Sequence, residues 1–175
     1  NNLHQLQPGF DTQNVLLFGL DPKTAGYTDS QTVALYSNLQ QRLAALPGVV
    51  SVSYSEAALL SQSTSGFDVH LENAPPKSNV LTDVLPVGPG FFSTMHIPVL
   101  AGRAFTPTDF ASAVDTNAAL TAAEKKPDKR SAGSASHLAP VPVMINQTFA
   151  RRFFPDRSSI GLHIGNAQRD EPAKR

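Results

Sequence analysis

The hydrophobic and polar positions along this chain repeat with different periods, and each change of period marks an element. Asn14 to Leu20 (NVLLFGL) is a short continuous apolar run, which predicts a buried strand closed by Asp21-Pro22. Thr28 and Gln31 have the spacing of a capping box, in which each side chain satisfies a free backbone donor at a helix start. Val33, Tyr36, Leu39, Leu43 and Leu46 then recur every three or four residues, which predicts a helix with one apolar stripe and with Gln40, Gln41 and Arg42 on its wet side. Pro47-Gly48 stops that helix. Val49 to Tyr54 (VVSVSY) alternates and is rich in β-branched residues, as a strand is. If the two flanking strands are parallel, the result is a right-handed βαβ unit; an antiparallel pair or an intervening strand are the alternatives.

Further along, Ser61 to Gly66 reads as a polar loop. Phe67 to Glu72 (FDVHLE) alternates, as a half-buried strand does. Ala74 to Ser78 is a turn, and Val80 to Val87 a second strand whose end Pro86 places at an edge or bulge. Gly88-Pro89 is expected to open a short helix that buries Phe91, Phe92 and Met95. The block 111–139 is rich in Ala, Ser, Thr, Lys and Asp and nearly lacks large apolar side chains. It is expected to be a flexible insertion, with at most a transient helix over Asn117 to Lys126. Val141 to Ile145 resumes as a strand, and Asn146 caps a helix carrying Phe149 and Phe153 four residues apart. Pro155 ends that helix, and Ser159-Ile160-Gly161 turns into a last apolar piece, Leu162 to Ile164. The order of elements predicts an α+β fold: a mixed β-sheet with helices packed on one side and a βαβ start.

Composition changes this picture only at its margins. Among 175 residues, 14 are basic and 14 acidic, so bulk charge favours neither nucleic acid nor an anionic membrane. Cysteine is absent, which excludes disulfides and Cys-based zinc sites. No window reaches the roughly 20 apolar residues of a membrane helix, and no signal peptide opens the chain. Its polar ends suggest a soluble segment of a larger protein, with residues 166–175 as a polar tail.

Candidate chemistry is sparse. The histidines, at positions 4, 70, 96, 137 and 163, form no local zinc motif. Asp68, His70 and Glu72 share one strand face, the best metal or acid–base spacing in the chain; the plainer reading is a solvated face. Serines crowd residues 51–65 without a GxSxG elbow. Gly88-Pro89-Gly90 and Gly161 to Gly165 fall short of phosphate loops, the first because proline removes a needed donor. Arg103 could clamp a carboxylate such as Asp109 or contact a neighbouring subunit. Arg151 and Arg152 beside Phe153 and Phe154 could stack on bases, yet no wider basic stripe exists. Asn146-Gln147-Thr148 has the form of a glycosylation acceptor. These residues assign no catalytic, metal or cofactor role.

Four blocks, in order, carry a family resemblance: Pro8 to Asp21 (PGFDTQNVLLFGLD), Leu43 to Leu60 (LAALPGVVSVSYSEAALL), Val87 to Asp109 (VGPGFFSTMHIPVLAGRAFTPTD) and Pro142 to Ile164 (PVMINQTFARRFFPDRSSIGLHI). Together they resemble the MacB-like periplasmic core domain of ABC-transporter permeases, in particular the acidobacterial group. The resemblance implies residues 1–165 as one core domain of two lobes, one porter-like and one richer in β-structure, on the periplasmic side of the inner membrane. It implies a non-catalytic module without cofactor that relays ATP-driven shape change to export. The implied partners are a cytoplasmic ATPase domain or subunit, a second permease copy and a periplasmic adaptor protein. The family has only a short loop where this chain has 111–139. An extracytoplasmic ligand-binding or sensor domain, using Phe91, Phe92 and Met95 as pocket lining, is the alternative; a metal enzyme built on Asp68, His70 and Glu72 is a third.

Overall fold

In a computed structural model of the chain, residues 9–61, 65–72, 79–124 and 140–166 are described. The turn at 74–78, His4, His137, residues 125–139 and the tail from 167 lie outside them. The fold class is α+β. Its elements are α1 (Asp29–Ala44), β1 (Ser65–Leu71), β2 (Asn79–Val84), α2 (Phe91–Thr94), α3 (Pro107–Glu124), α4 (Gln147–Phe153) and β3 (Ile164–Asn166). The chain divides into two compact units, residues 1–63 with 85–104, and residues 64–84 with 105–175.

The first unit is built on α1. Its capping box forms as the spacing predicts: the Thr28 backbone N–H donates to Gln31 Oε1 at 2.8 Å, and the Gln31 N–H donates to Thr28 Oγ1 at 3.4 Å. At the far end Gly48 adopts φ 83°, and the Val49 N–H reaches the Leu46 carbonyl at 3.2 Å, so Leu46 to Val49 turns the chain out of the helix. The half-buried face differs from the predicted stripe. It comprises Thr32, Leu35, Tyr36, Leu39, Gln40 and Leu43, while Val33 and Leu46 are exposed. Gln40 belongs to the covered face because its Nε2 donates to the carbonyls of Val52 (2.8 Å) and Pro89 (3.3 Å). Burying an amide is tolerable once it is hydrogen-bonded.

The βαβ start is not formed among the described residues. Residues 14–20 and 49–54 carry no strand ladder. Leu16 is 86% exposed and Val50 99% exposed, so the expected buried strands are open apolar segments. What forms instead is a single antiparallel bridge, Ser55 to Val87, flanked by Glu56 N–H to Pro86 O (3.0 Å) and Gly88 N–H to Tyr54 O (2.7 Å). Apolar alternation supplies a surface for a strand, but a ladder needs a partner at the right register.

The second unit holds the sheet, in the order β2-β1-β3. It is antiparallel throughout rather than mixed, and the register pairs Phe67 with Thr82, Val69 with Val80 and Leu71 with Ile164. Directly paired residues share a face, so these six line one largely apolar face. Gly66, Asp68, His70, Asn79, Leu81 and Asp83 line the other. β2 ends at Val84, before Pro86, as that proline requires. The predicted strand at 141–145 is absent, and Val141 and Val143 are exposed.

The block expected to be irregular begins as helix, since α3 runs through residues 111–124. The reason is local. Thr106 caps the helix and Pro107 occupies its first position. The Asp109 carboxylate accepts from the Thr106 N–H at 2.6 Å and from its hydroxyl at 2.8 Å. Alanines at 111, 113, 118, 119, 122 and 123 then favour helix without needing a core. Only three side chains are buried among the described residues: Phe91 in the first unit, Leu71 and Phe154 in the second.

Candidate functional site

The most tightly organised place in the first unit is the joint between α1, residues 52–56 and residues 86–97. Gly88 to Phe91 forms a turn closed by Phe91 N–H to Gly88 O at 3.3 Å, with Gly90 at φ 74° and ψ 5°. Proline second and a left-handed glycine third define a type II turn. Pro89 therefore sits in the turn, not at the first helical position, and α2 starts at Phe91 with Gly90 as its cap. The Tyr54 ring occupies the space that a side chain at Gly88 would need, and Tyr36 lies against it with ring centroids 5.1 Å apart. Burial, and next the neighbouring Tyr36, push the Tyr54 hydroxyl above its usual range.

The end of α2 carries a feature invisible in the spacing. His96 N–H donates to Ser93 O (3.3 Å) and Ile97 N–H to Phe92 O (2.8 Å), the two bonds of a Schellman ending. His96 takes the left-handed position usually held by glycine, at φ 51°. Its Nδ1 lies 3.6 Å from Asp11 Oδ2, beside the bond from Asp11 N–H to Met95 O at 2.9 Å. Phe91 is buried while Phe92 and Met95 are half-buried. Phe91 and Phe92 meet edge to face at 5.7 Å, the arrangement of core aromatics.

In the second unit the candidate trio Asp68, His70 and Glu72 does not assemble into a metal site among the described residues. Asp68 and His70 share a face, opposite Leu81 and Asn79. Glu72 lies beyond the end of β1 and turns to β3 instead. Its N–H donates to His163 O at 3.2 Å, and its Oε2 accepts from the His163 N–H at 2.7 Å, with His163 Nδ1 at 3.5 Å. Arg157 Nη2 reaches the Glu72 carbonyl at 3.3 Å. The His163 backbone donor, ahead of its side chain and of Arg157, holds the Glu72 carboxyl below its usual range. This cluster clamps the sheet end. Among the described residues no three His, Cys, Asp or Glu side chains are placed to hold a metal.

Ser65 and Gly66 are in β1, paired with Val84 and Asp83, rather than in a loop. Gly161 sits in a turn at φ 83°, and Gly165 is in β3 opposite His70. Arg103 Nη1 donates to the Ala104 carbonyl at 3.0 Å, while Asp109 is drawn into the cap of α3. Asn146 caps α4 by accepting from the Phe149 N–H at 2.7 Å. Arg152 lies over the Phe153 ring at 5.1 Å, and Arg157 over Phe154 at 5.4 Å.

A groove of about 370 Å3 lies in the second unit. One wall is residues 79–82 of β2; the other is Thr148, Phe149, Arg152 and Phe153 of α4 with its cap Asn146. Its volume falls in the range of ligand clefts, roughly 300–1,000 Å3. The sequence shows Phe149 and Phe153 as a pair but not that they face a sheet edge. Searches of protein-family models, of curated proteins and of solved structures found no match to this chain.

Proposed function

We propose that this chain is a non-catalytic extracytoplasmic domain of an ABC-transporter permease, which relays ATP-driven conformational change to substrate export or to periplasmic partners. The ATPase then resides in a separate cytoplasmic domain or subunit, and the chain lies on the periplasmic side of the inner membrane. A second permease copy and a periplasmic adaptor are the partners this reading names. The observation that supports it is that residues of the resembling blocks bond to one another. Asp11 of the first block is tied to Met95 of the third, and Tyr54 of the second to Gly88 of the third. Shape-determining contacts of this kind suit a module that is held and moved. Open apolar runs at residues 15–20 and 49–50 suit a domain that meets further protein surface. No helix among the described residues is long and apolar enough to cross a membrane.

The test is the parent reading frame together with a binding assay. Apolar helices of about 20 residues flanking this segment, with a nucleotide-binding protein encoded nearby, are the expected result. A secreted frame without membrane helices would overturn the reading in favour of a soluble ligand binder. Saturable ATP binding by the chain itself would also count against it.

A further inference from the structure

β2 is the outer strand of the sheet, paired on one side with β1. Successive residues of a strand point to opposite faces. The groove touches four successive residues, 79 to 82, so it runs along the free edge of β2 and not over one face. In an antiparallel strand every second residue turns both its N–H and its C=O away from the paired neighbour. Among the described residues no hydrogen bond closes that edge of β2. Leu81, 74% exposed, stands beside it.

The facing wall has a matching composition. Phe149, Arg152 and Phe153 are spaced i, i+3, i+4 and so share one face of α4. Two phenyl rings, 4.6 Å apart, offer an apolar surface. Arg152 packs on Phe153, and no described carboxylate pairs with it. The part of the groove formed by 79–82, Phe149, Arg152 and Phe153 contains no acidic residue. The groove thus supplies backbone donors and acceptors on one side, and two phenyl rings, one positive charge and the polar Asn146 and Thr148 on the other.

We propose that the second unit binds an extended peptide segment of a partner protein as a fourth strand along β2, with a carboxylate of that segment held by Arg152. Main-chain hydrogen bonds give such strand addition its affinity, and the side-chain wall gives it selectivity. The Arg152 planar fork suits a carboxylate. The proposal goes beyond the permease reading and depends only on the second unit, so either can fail alone.

The probe is an end-blocked, fluorescein-labelled octapeptide alternating valine and threonine with one central glutamate, beside the same peptide carrying glutamine. Both are titrated with the full chain by fluorescence anisotropy. The glutamate peptide is expected to saturate and to bind about fivefold more tightly than the glutamine peptide, the size of a partly exposed ion pair. Arg152→Gln is expected to erase that difference while leaving the glutamine peptide unchanged. Amide exchange should slow at every second residue of 79–84 when peptide is bound, and exchange in β1 verifies that the variant is folded. Equal affinity for the two peptides, absence of saturation up to about 1 mM, or protection outside β2 overturns the proposal. Protection of β2 that rises with chain concentration, without peptide, also overturns it and makes a second copy the occupant.

Discussion

The Tyr54 ring packs so closely on Gly88 that a Cβ there would lie 2.6 Å from ring atom Cε2 and 2.7 Å from Cζ. The same pair is joined by the bond from Gly88 N–H to Tyr54 O at 2.7 Å, so neither backbone is free to withdraw. Gly88→Ala is therefore expected to destabilise the first unit by about 2 kcal/mol, the usual cost of overpacking. All three tyrosines, at 27, 36 and 54, belong to this unit and tryptophan is absent, so tyrosine fluorescence in a urea titration reads it selectively. An unchanged midpoint would show that the ring moves freely.

The same joint should weaken in alkali. The Tyr54 hydroxyl is raised above its ordinary value of 10.0. A raised value means that the folded state favours the neutral phenol. This contribution is fully present below about pH 10 and is lost as pH rises through the higher native value. Tyr54→Phe is expected to flatten the alkaline limb of a stability profile, and a limb that persists in the variant would assign the effect to another group.

His96 holds a position that suits glycine. At φ 51° a residue with a side chain is strained by about 1 kcal/mol or more. His96→Gly should relieve this, offset in part by loss of the exposed contact to Asp11 and by glycine's greater freedom when unfolded. His96→Val, with a β-branched side chain in the same conformation, is expected to lower the urea midpoint clearly below both. If valine and glycine behave alike, the Schellman ending does not constrain α2.

Gln40 reaches two carbonyls from different segments, at Val52 and Pro89. Gln40→Leu keeps the volume but leaves both acceptors without that donor. The expected loss is about 1–2 kcal/mol, the cost of half-buried polar groups left unpaired. A leucine that stabilises the unit would mean that water replaces the amide at no cost.

In the second unit the Glu72 carboxyl is held below its ordinary value of 4.5 by the His163 backbone donor. A depressed value means that the folded state favours the carboxylate. Its contribution is complete above about pH 4.5 and is lost as pH falls through the lower native value. Amide exchange at Glu72 and His163, whose N–H groups donate within this clamp, should accelerate relative to the intrinsic rate in that acid window, and Glu72→Gln should remove the pH dependence at both. Acceleration unaltered by the substitution would point to another titrating group.

Features that depend on four or five neighbouring residues were legible in the sequence. Thr28 and Gln31 cap α1, Asn146 caps α4, Pro47-Gly48 ends a helix, and the alternation of Phe67, Val69 and Leu71 sets one face of β1. The capping box of Thr106 and Asp109 is equally local, but the low apolar content of 111–139 predicts an irregular insertion where α3 forms. Helix starts respond to backbone satisfaction and propensity before they respond to burial.

The sequence by itself determined the caps that start α1 and α4, because the atoms concerned lie within one turn of each other. Only the tertiary structure decided which extended segments became strands. Residues 14–20 and 49–54 are as apolar as β1 and β2, yet carry no ladder, whereas the polar-flanked β1 pairs on both sides. Pairing depends on a partner 9 to 97 residues away in register, as between His70 and Asn79 or between Val69 and Asn166, and no local pattern encodes that distance. The same holds for the groove. Arg152 and Phe149 are legible as a helix face, but their position across from the free edge of β2 follows from chain segments far apart in sequence being brought together.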